Sequence, residues 1–165
     1  MVSAVLEKFE NPGVDDEMKA DFLDETEWAN QFDWDELHSA AKYTRYFELP
    51  AKTQIFAEGD MDAYLVLIIK GSIDIVKRDD AGKHKVLSTL SKGKALGEMA
   101  LLDQSPRSAA AICATDCRIL IMEQSQFKQL CDKTPALAVK ILIRIAAMMS
   151  LRLRQTSGQL VDRLD

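Results

Sequence analysis

The sequence predicts a mainly β domain with flanking helices: a double-stranded β-helix (jelly-roll) barrel with N-terminal helices and a long C-terminal helix. From Phe47 onwards, short β-rich runs alternate with turn residues, as where residues 64–69 are followed by Lys70-Gly71. Residues 72–77 alternate apolar and polar side chains, which is typical of a strand with one buried face. Many short strands at regular spacing indicate a sandwich or barrel of the jelly-roll type.

An acidic segment and a short helical stretch precede the barrel. Residues 1–26 contain the turn signal Asn11-Pro12-Gly13, which predicts a loose acidic arm with at most one short helix. Residues 27–46 carry apolar side chains at helical spacing, which indicates one or two short amphipathic helices that pack on the core. We therefore assign residues 27–134 to one barrel domain with its N-terminal helices.

The remaining predicted strands are short and separated by turns. Residues 54–56 and 85–90 each form one strand, the second of them after a hairpin loop at residues 79–82. Residues 109–114 and 118–122 are predicted to form a further strand pair, joined by a tight turn.

The period of the apolar residues becomes helical after the last strand. Ser125 is predicted to cap a short helix that ends at Cys131. Thr134-Pro135 then opens a long helix over residues 135–165, because proline suits the first position of a helix.

The spacing of the apolar residues along the long helix predicts that a second helix packs against it. The seam has spacings of three and four residues, as in a coiled coil, and consists of Val139, Leu142, Ala146, Met149, Leu153, Thr156 and Leu160. Near Pro135, packing on the barrel explains the pattern. Beyond Met149 the helix outruns a small barrel, and we therefore expect a second helix, and a homodimer, there.

Composition and charge exclude several classes of protein. The 165 residues, 47% hydrophobic and 28% charged, are enough to bury a core without disulfides. The net charge of −5 argues against a general nucleic-acid coat. Residues 1–40 hold 12 acidic and 2 basic residues, a charge of −10, whereas residues 41–165 hold 14 and 19, a charge of +5. The acidity therefore belongs to the N-terminal segment.

Cysteine usage and hydropathy predict a cytoplasmic location. The chain has only three cysteines, Cys113, Cys117 and Cys131, and this odd number argues against a disulfide framework. Free thiols are typical of a reducing compartment. The N-terminus lacks the pattern of a secretory signal. The most apolar stretch, residues 136–149, is too short and too charged to span a membrane.

The stretch from Gly97 to Ala111 carries residues whose types suit a ligand. Gly97 lets the backbone approach a ligand closely. The Glu98 carboxylate is suited to accept hydrogen bonds from ribose hydroxyls. Arg107 presents a planar fork that matches phosphate oxygens, and Ser108 adds a hydroxyl donor. On chemistry alone, an ion pair between Glu98 and Arg107 explains these two residues about as well.

This stretch, GEMALLDQSPRSAAA, resembles the phosphate-binding cassette of the cyclic-nucleotide-binding domain family. The family pattern is phenylalanine-Gly-Glu-leucine-Ala-Leu, a variable stretch, and then Pro-Arg-Ser/Ala-Ala. Here Leu96 and Met99 replace the phenylalanine and the leucine. The likeness extends over residues 45–165 and is strongest to the sensor half of the bacterial cyclic AMP receptor protein family. Residues 148–157 resemble that family's dimerisation helix.

The resemblance implies a role for each matching residue. Arg107 and Ser108 would bind the cyclic phosphate, and Glu98 would hold the ribose 2′-hydroxyl beside the Gly97 main chain. Further residues would supply main-chain amides or line the base side: Met99, Ala100, Leu87 and Ser88.

The C-terminal helix is implied to supply the contact with the base. Thr156 and Ser157 match a Thr-Ser pair that reaches the adenine in the receptor family, although the segment from Pro135 to Thr156 is longer here. Met148 is the alternative capping residue, as in channel-type members. A polar position in a coiled-coil seam explains Thr156 equally well.

The resemblance implies a non-enzymatic cytoplasmic sensor that binds a cyclic nucleotide and works as a homodimer. Cyclic AMP is favoured over cyclic GMP, because serine at the position of Ser108 is common in cyclic AMP binders. The alternative is a ligand-independent dimerisation or scaffold module of the same fold, against which the intact Glu98 and Arg107 count.

Other activities are not expected. A metalloenzyme of the cupin kind needs several histidines on neighbouring strands, and the chain has only His38 and His84. We therefore expect no metal and no cofactor. The sequence stops where the receptor family continues into its helix-turn-helix, so direct DNA binding is not expected.

Overall fold

The computed structural model describes residues 2–79 and 82–161, except for the side chains of residues 4, 5 and 159–161. Part of the predicted hairpin loop, Asp80-Ala81, lies outside these residues, as do the Leu160 side chain of the seam and residues 162–165 of the predicted long helix.

The described helices flank the strands on both sides in the sequence. They are α1 (Ala4–Glu7), α2 (Asp16–Asp24), α3 (Trp34–Ala41), α4 (Glu98–Asp103), α5 (Gln124–Lys133) and α6 (Pro135–Val161), with a 3₁₀ turn at Glu27–Ala29. Within the described ranges, no helix is both long and apolar enough to span a membrane.

The strands in the described part of the chain form two four-stranded antiparallel sheets. They are β1 (Arg45–Leu49), β2 (Gln54–Phe56), β3 (Tyr64–Lys70), β4 (Ser72–Arg78), β5 (His84–Ser91), β6 (Ala95–Leu96), β7 (Ala110–Cys113) and β8 (Cys117–Glu123). The strand orders are β1-β8-β3-β6 and β2-β7-β4-β5. The predicted fold class is confirmed as a jelly roll of two sheets, although the sheets do not close into a barrel.

The predicted pairing of the last two strands is wrong. β7 pairs with β2 and β4, whereas β8 pairs with β1 and β3, so the two strands lie in different sheets. The turn between them is a corner of the jelly roll. Strand content can be read from local sequence, but partners are decided by long-range packing.

Strand β3 lies between two hydrophobic cores and contributes side chains to both. Tyr64, Val66 and Ile68 point between the two sheets, and the alternate residues pack against the helices on the outer face. Because both faces are buried, the strand is an unbroken apolar run. The second core joins this outer face to α3, α5 and the first turns of α6, where Ile141 and Ile145 are fully buried.

The prediction of a loose N-terminal arm is also wrong. Leu6 of α1 is fully buried in the core between the sheets. Glu10 forms a β-bridge with Phe47, so the segment after α1 covers the free edge of β1. Arg45 donates hydrogen bonds to the carboxylates of Glu10 and Glu123, which ties the segment to both neighbouring strands. The acidic composition of this segment suggested a solvated arm, and its few buried apolar side chains form no periodic pattern that could have predicted the packing.

The short helix α5 begins two residues earlier than predicted. Glu123, not Ser125, is its N-cap, in a capping box with Gln126.

Candidate functional site

The cavity at the Gly97–Ser108 segment has a volume of about 360 Å³. It is bounded by β4 and β5, by α4 and the loop after it, and by the distal part of α6. Its lining residues are Phe56, Ile75, Ser88, Leu90, Leu96, Gly97, Glu98, Met99, Ala100, Asp103, Ser105, Pro106, Arg107, Ser108, Ala109, Arg152 and Thr156.

Gly97 lets the arginine side chain pack directly against the backbone. Its φ of +78° lies in the left-handed region, and it forms the N-cap of α4. A Cβ at this position would lie 2.5 Å from Nη1 of Arg107 and 2.8 Å from the carbonyl oxygen of Tyr64. The glycine is therefore required by both its conformation and its neighbours.

The Arg107 side chain is only 4% exposed and is held by neutral groups. Its Nη1 donates to the Gly97 carbonyl at 2.9 Å, and its Nη2 donates to the Tyr64 carbonyl at 3.0 Å. Its Cζ atom lies 4.1 Å from the ring centre of Phe56 and 4.4 Å from that of Tyr64. Within the described residues, its Nε finds no hydrogen-bond partner.

The main chain of Arg107 is fixed by the turn that follows β2. The amide of Gly59 donates to the Arg107 carbonyl, and the Arg107 amide donates to the Asp60 carbonyl, both at 2.8 Å. The Asp60 carboxylate in turn accepts from the Ala57 amide at 2.7 Å. The turn at Glu58-Gly59-Asp60 therefore fixes the main chain of Arg107.

The electrostatics of Arg107 suit an anion. Burial lowers the pKa of Arg107, while Tyr64 and the carboxylates of Asp62 and Asp60 act against this shift. Among the ion pairs of the described residues, none involves Arg107. A buried cation held by neutral carbonyls gains most from an incoming anion with several acceptor oxygens.

Glu98 is paired with the C-terminal helix and not with Arg107. Its carboxylate is buried at 5% exposure and accepts a hydrogen bond of 2.7 Å from Nη1 of Arg152. Arg152 also donates to the carbonyl of Ala95. The first alternative from the sequence, an ion pair between Glu98 and Arg107, is therefore not what the structure contains.

Arg152 is the main site residue that sequence reasoning missed. It lies one helical turn before Thr156, so both side chains face the cavity from α6. The spacing of four residues between Arg152 and Thr156 could have indicated that both belong to the site. Other basic residues occur nearby on the same helix, so this arginine did not stand out in the sequence.

Eight of the predicted site residues line the cavity together: Ser88, Gly97, Glu98, Met99, Ala100, Arg107, Ser108 and Thr156. The other three lie outside its lining. Leu87 is exposed on β5, and Ser157 is exposed beside Thr156. Met148 is partly buried against the core between the helices and the sheet. In the described ranges, no group of three or more His, Cys, Asp or Glu side chains is placed to hold a metal ion.

Comparison with known sequences identifies the family. The profile of the Cyclic nucleotide-binding domain matches residues 46–134, more than half of the chain. The chain belongs to the cyclic nucleotide-binding domain family. Its sequence is similar to part of the cyclic AMP receptor proteins.

Curated relatives of this cyclic nucleotide-binding domain include bacterial regulators. It is 33% identical over 114 residues to the cAMP-activated global transcriptional regulator CRP of Haemophilus influenzae, with 68% of this chain and 49% of the relative covered. It is 29% identical over 126 residues to the Cyclic AMP receptor protein of Thermus thermophilus, with 76% and 56% covered. The chain thus spans about half the length of the curated relatives it matches.

Solved structures share the fold. The Thermus thermophilus Catabolite Activator Protein has a TM-score of 0.71 at 27% identity, with 81% of this chain and 61% of that one covered. A cyclic nucleotide-binding domain from Methylobacillus flagellatus has a TM-score of 0.79, with 90% and 83% covered. At 23% identity, the second likeness concerns the fold alone.

Proposed function

We propose that the chain is a non-enzymatic cyclic AMP sensor whose ligand fills the cavity at α4. Arg107 and Ser108 bind the cyclic phosphate, Glu98 accepts from the ribose 2′-hydroxyl, and the amides of Met99 and Ala100 face phosphate or ribose oxygens. The carrying observation is the buried Arg107 guanidinium, whose hydrogen bonds go to neutral carbonyls, at a cavity that also contains Glu98.

The base is proposed to lie between the β4–β5 hairpin and α6. Ser88 and Leu90 line the cavity from β5, and Thr156 lines it from α6. Ser108 favours cyclic AMP over cyclic GMP, and the curated relatives described above are cyclic AMP-responsive by name. Of the two candidates on α6 for the contact with the base, we favour Thr156 over Met148, because Thr156 lines the cavity and Met148 does not.

Titration calorimetry with the two nucleotides tests the choice of base. We expect cyclic AMP to bind more tightly than cyclic GMP, with both competing for one site. Equal affinities would contradict the proposed base preference, and tighter binding of cyclic GMP would reverse it. If neither nucleotide binds, the scaffold alternative takes the place of the sensor.

The proposed mechanism is ligand-biased repositioning of α6. Arg152 reaches Glu98 from the distal half of this helix, so a ribose that uses the same carboxylate changes the contact that holds the helix. The proximal half is bonded to the helices that precede the barrel, since Arg144 donates to the Glu27 carbonyl of the 3₁₀ turn and Lys140 pairs with Glu36 of α3. The helix thereby links the cavity to the 3₁₀ turn and α3.

We propose that the three parts of the chain divide the work as follows. Residues 27–134 bind the ligand, residues 135–165 act as lid and dimerisation helix, and residues 1–26 brace the first sheet through Leu6 and Glu10.

The cytoplasm is the proposed location. The three cysteines are free thiols, and burial raises the pKa of the Cys113 thiol to about 12, so it stays protonated and inert.

A second copy of the chain is proposed to cover one face of α6. Val139, Ile143 and Leu153 are each more than half exposed and share this face with Ala146. Their spacings of four, three and seven residues match a coiled-coil seam. The half-buried Leu142 and Met149 of the predicted seam pack inward on the helical core. The exposed stripe therefore keeps three residues of the predicted seam and differs from it by including Ile143.

Light scattering after size-exclusion chromatography tests the dimer. We expect the wild-type protein to have twice the chain mass and the double variant Ile143→Asp, Leu153→Asp to be monomeric, because two charges would enter an apolar seam. Met61→Asp changes an equally exposed apolar residue outside α6 and should leave the dimer intact. A monomeric wild-type protein, or a dimer in the double variant, would contradict this interface.

A further inference from the structure

Two aromatic rings from different strands enclose the Arg107 guanidinium. Phe56 ends β2 and Tyr64 begins β3, and the ring centres lie 6.1 Å apart at an angle of 69°. The guanidinium carbon lies over both rings, at 4.1 Å and 4.4 Å from their centres. We refer to Phe56 and Tyr64 as the aromatic corner.

The aromatic corner occupies the place where a buried cation usually meets a carboxylate. A buried charge is costly unless a partner compensates it, and here the direct hydrogen bonds go to the carbonyls of Gly97 and Tyr64. The negative faces of aromatic rings attract a guanidinium strongly when water is excluded. The two rings therefore stabilise the charged side chain without neutralising it.

A carboxylate in the same place would have a different consequence. It would use the N–H groups that a phosphate needs, and its negative charge would repel an anion. Rings occupy no N–H donor, and in the described part of the chain Nε of Arg107 is buried without a hydrogen-bond partner. The positive charge of Arg107 therefore remains available to a ligand.

We propose that Phe56 and Tyr64 are positioning residues, which hold the Arg107 guanidinium charged, without an ion-pair partner among the described residues, and oriented for an anionic phosphate. This inference rests on the proposed function, since the anion is the cyclic phosphate of the nucleotide. It assigns to the aromatic corner a role in affinity that is separate from its contribution to the core.

Phe56→Leu is the direct variant, because Phe56 lines the cavity edge and leucine keeps an apolar side chain there. We expect its affinity for cyclic AMP to fall about 3- to 30-fold, the range of a desolvated cation–π contact. Phe56→Tyr keeps a ring and should retain the wild-type affinity. Phe127→Leu is the matched control, since Phe127 is 8% exposed against 7% for Phe56 and lies in the other core.

A double-mutant cycle separates action through Arg107 from direct contact with the nucleotide. In an Arg107→Gln background, with weak binding followed by NMR titration, Phe56→Leu should have no further effect. An equal loss of affinity in both backgrounds would show that Phe56 contacts the nucleotide itself and would overturn the inference. Unchanged affinity in Phe56→Leu, with wild type binding normally, would overturn it as well.

A measurement without nucleotide keeps the inference testable if the proposed function fails. The Hε resonance of Arg107, identified by its disappearance in Arg107→Gln, should be shifted upfield by the ring currents in the wild-type protein. Phe56→Leu should lose much of that shift, and Phe127→Leu should retain it. An Hε resonance at its ordinary position in the wild-type protein would show that the rings do not hold the guanidinium.

Discussion

Arg107→Ala will abolish calorimetrically measurable binding of cyclic AMP. The variant removes two or more charge-assisted hydrogen bonds to phosphate, each contributing about 1.5–3 kcal/mol. The loss of affinity should therefore be at least about 100-fold. Calorimetric titration of wild type and variant with cyclic AMP measures it.

The variant needs a control for stability, because it also leaves the Gly97 and Tyr64 carbonyls without their donor. Thermal unfolding should show that Arg107→Ala is folded at the temperature of the titration. Arg78→Ala removes an exposed arginine outside the cavity and should bind as wild type does. If Arg107→Ala binds with unchanged affinity, the phosphate lies elsewhere.

Gly97→Ala will lose both stability and ligand affinity. Alanine at a φ of +78° costs roughly 1–2 kcal/mol from the backbone alone. Its Cβ would also overlap Nη1 of Arg107, at 2.5 Å, and the Tyr64 carbonyl oxygen, at 2.8 Å. The guanidinium or the backbone must move, so the orientation of Arg107 toward the phosphate is lost. Urea unfolding and titration with cyclic AMP measure the two effects.

Gly82→Ala separates the two causes. Gly82 has a nearly identical φ of +76°, and a Cβ there meets no atom of the described residues within 4 Å. It should show the backbone cost and keep the affinity of the wild-type protein. A Gly97→Ala protein that is no less stable than Gly82→Ala, and that binds equally well, would contradict the packing of Arg107 against this glycine.

The strands and the cassette could be predicted from the sequence because both depend on residues that are close together in the chain. Alternation in residues 72–77 and the unbroken apolar run in residues 64–69 each reflect how many faces of a strand are buried. The chemistry of Gly97, Glu98 and Arg107 suited a ligand and an internal ion pair about equally, and the resemblance of this stretch to the family's cassette decided between the two. The convergence of these residues on one cavity follows from the loop that joins α4 to β7.

The rest of the site depends on contacts between residues far apart in the chain. Arg152 reaches Glu98 across 54 positions, and the aromatic corner comes from two strands that precede Arg107 by more than 40 residues. Such partners leave no periodic trace in a single sequence. The anchoring of Leu6 in the core was hidden for the same reason, since one apolar side chain decides it.

Titration of the wild-type protein with cyclic AMP measures whether the cavity at α4 binds a cyclic nucleotide. We expect one nucleotide per chain with a dissociation constant well below millimolar, where binding amounts to only about −4 kcal/mol. The absence of any binding heat up to millimolar cyclic AMP, with no chemical-shift change at the cavity residues, would contradict this expectation.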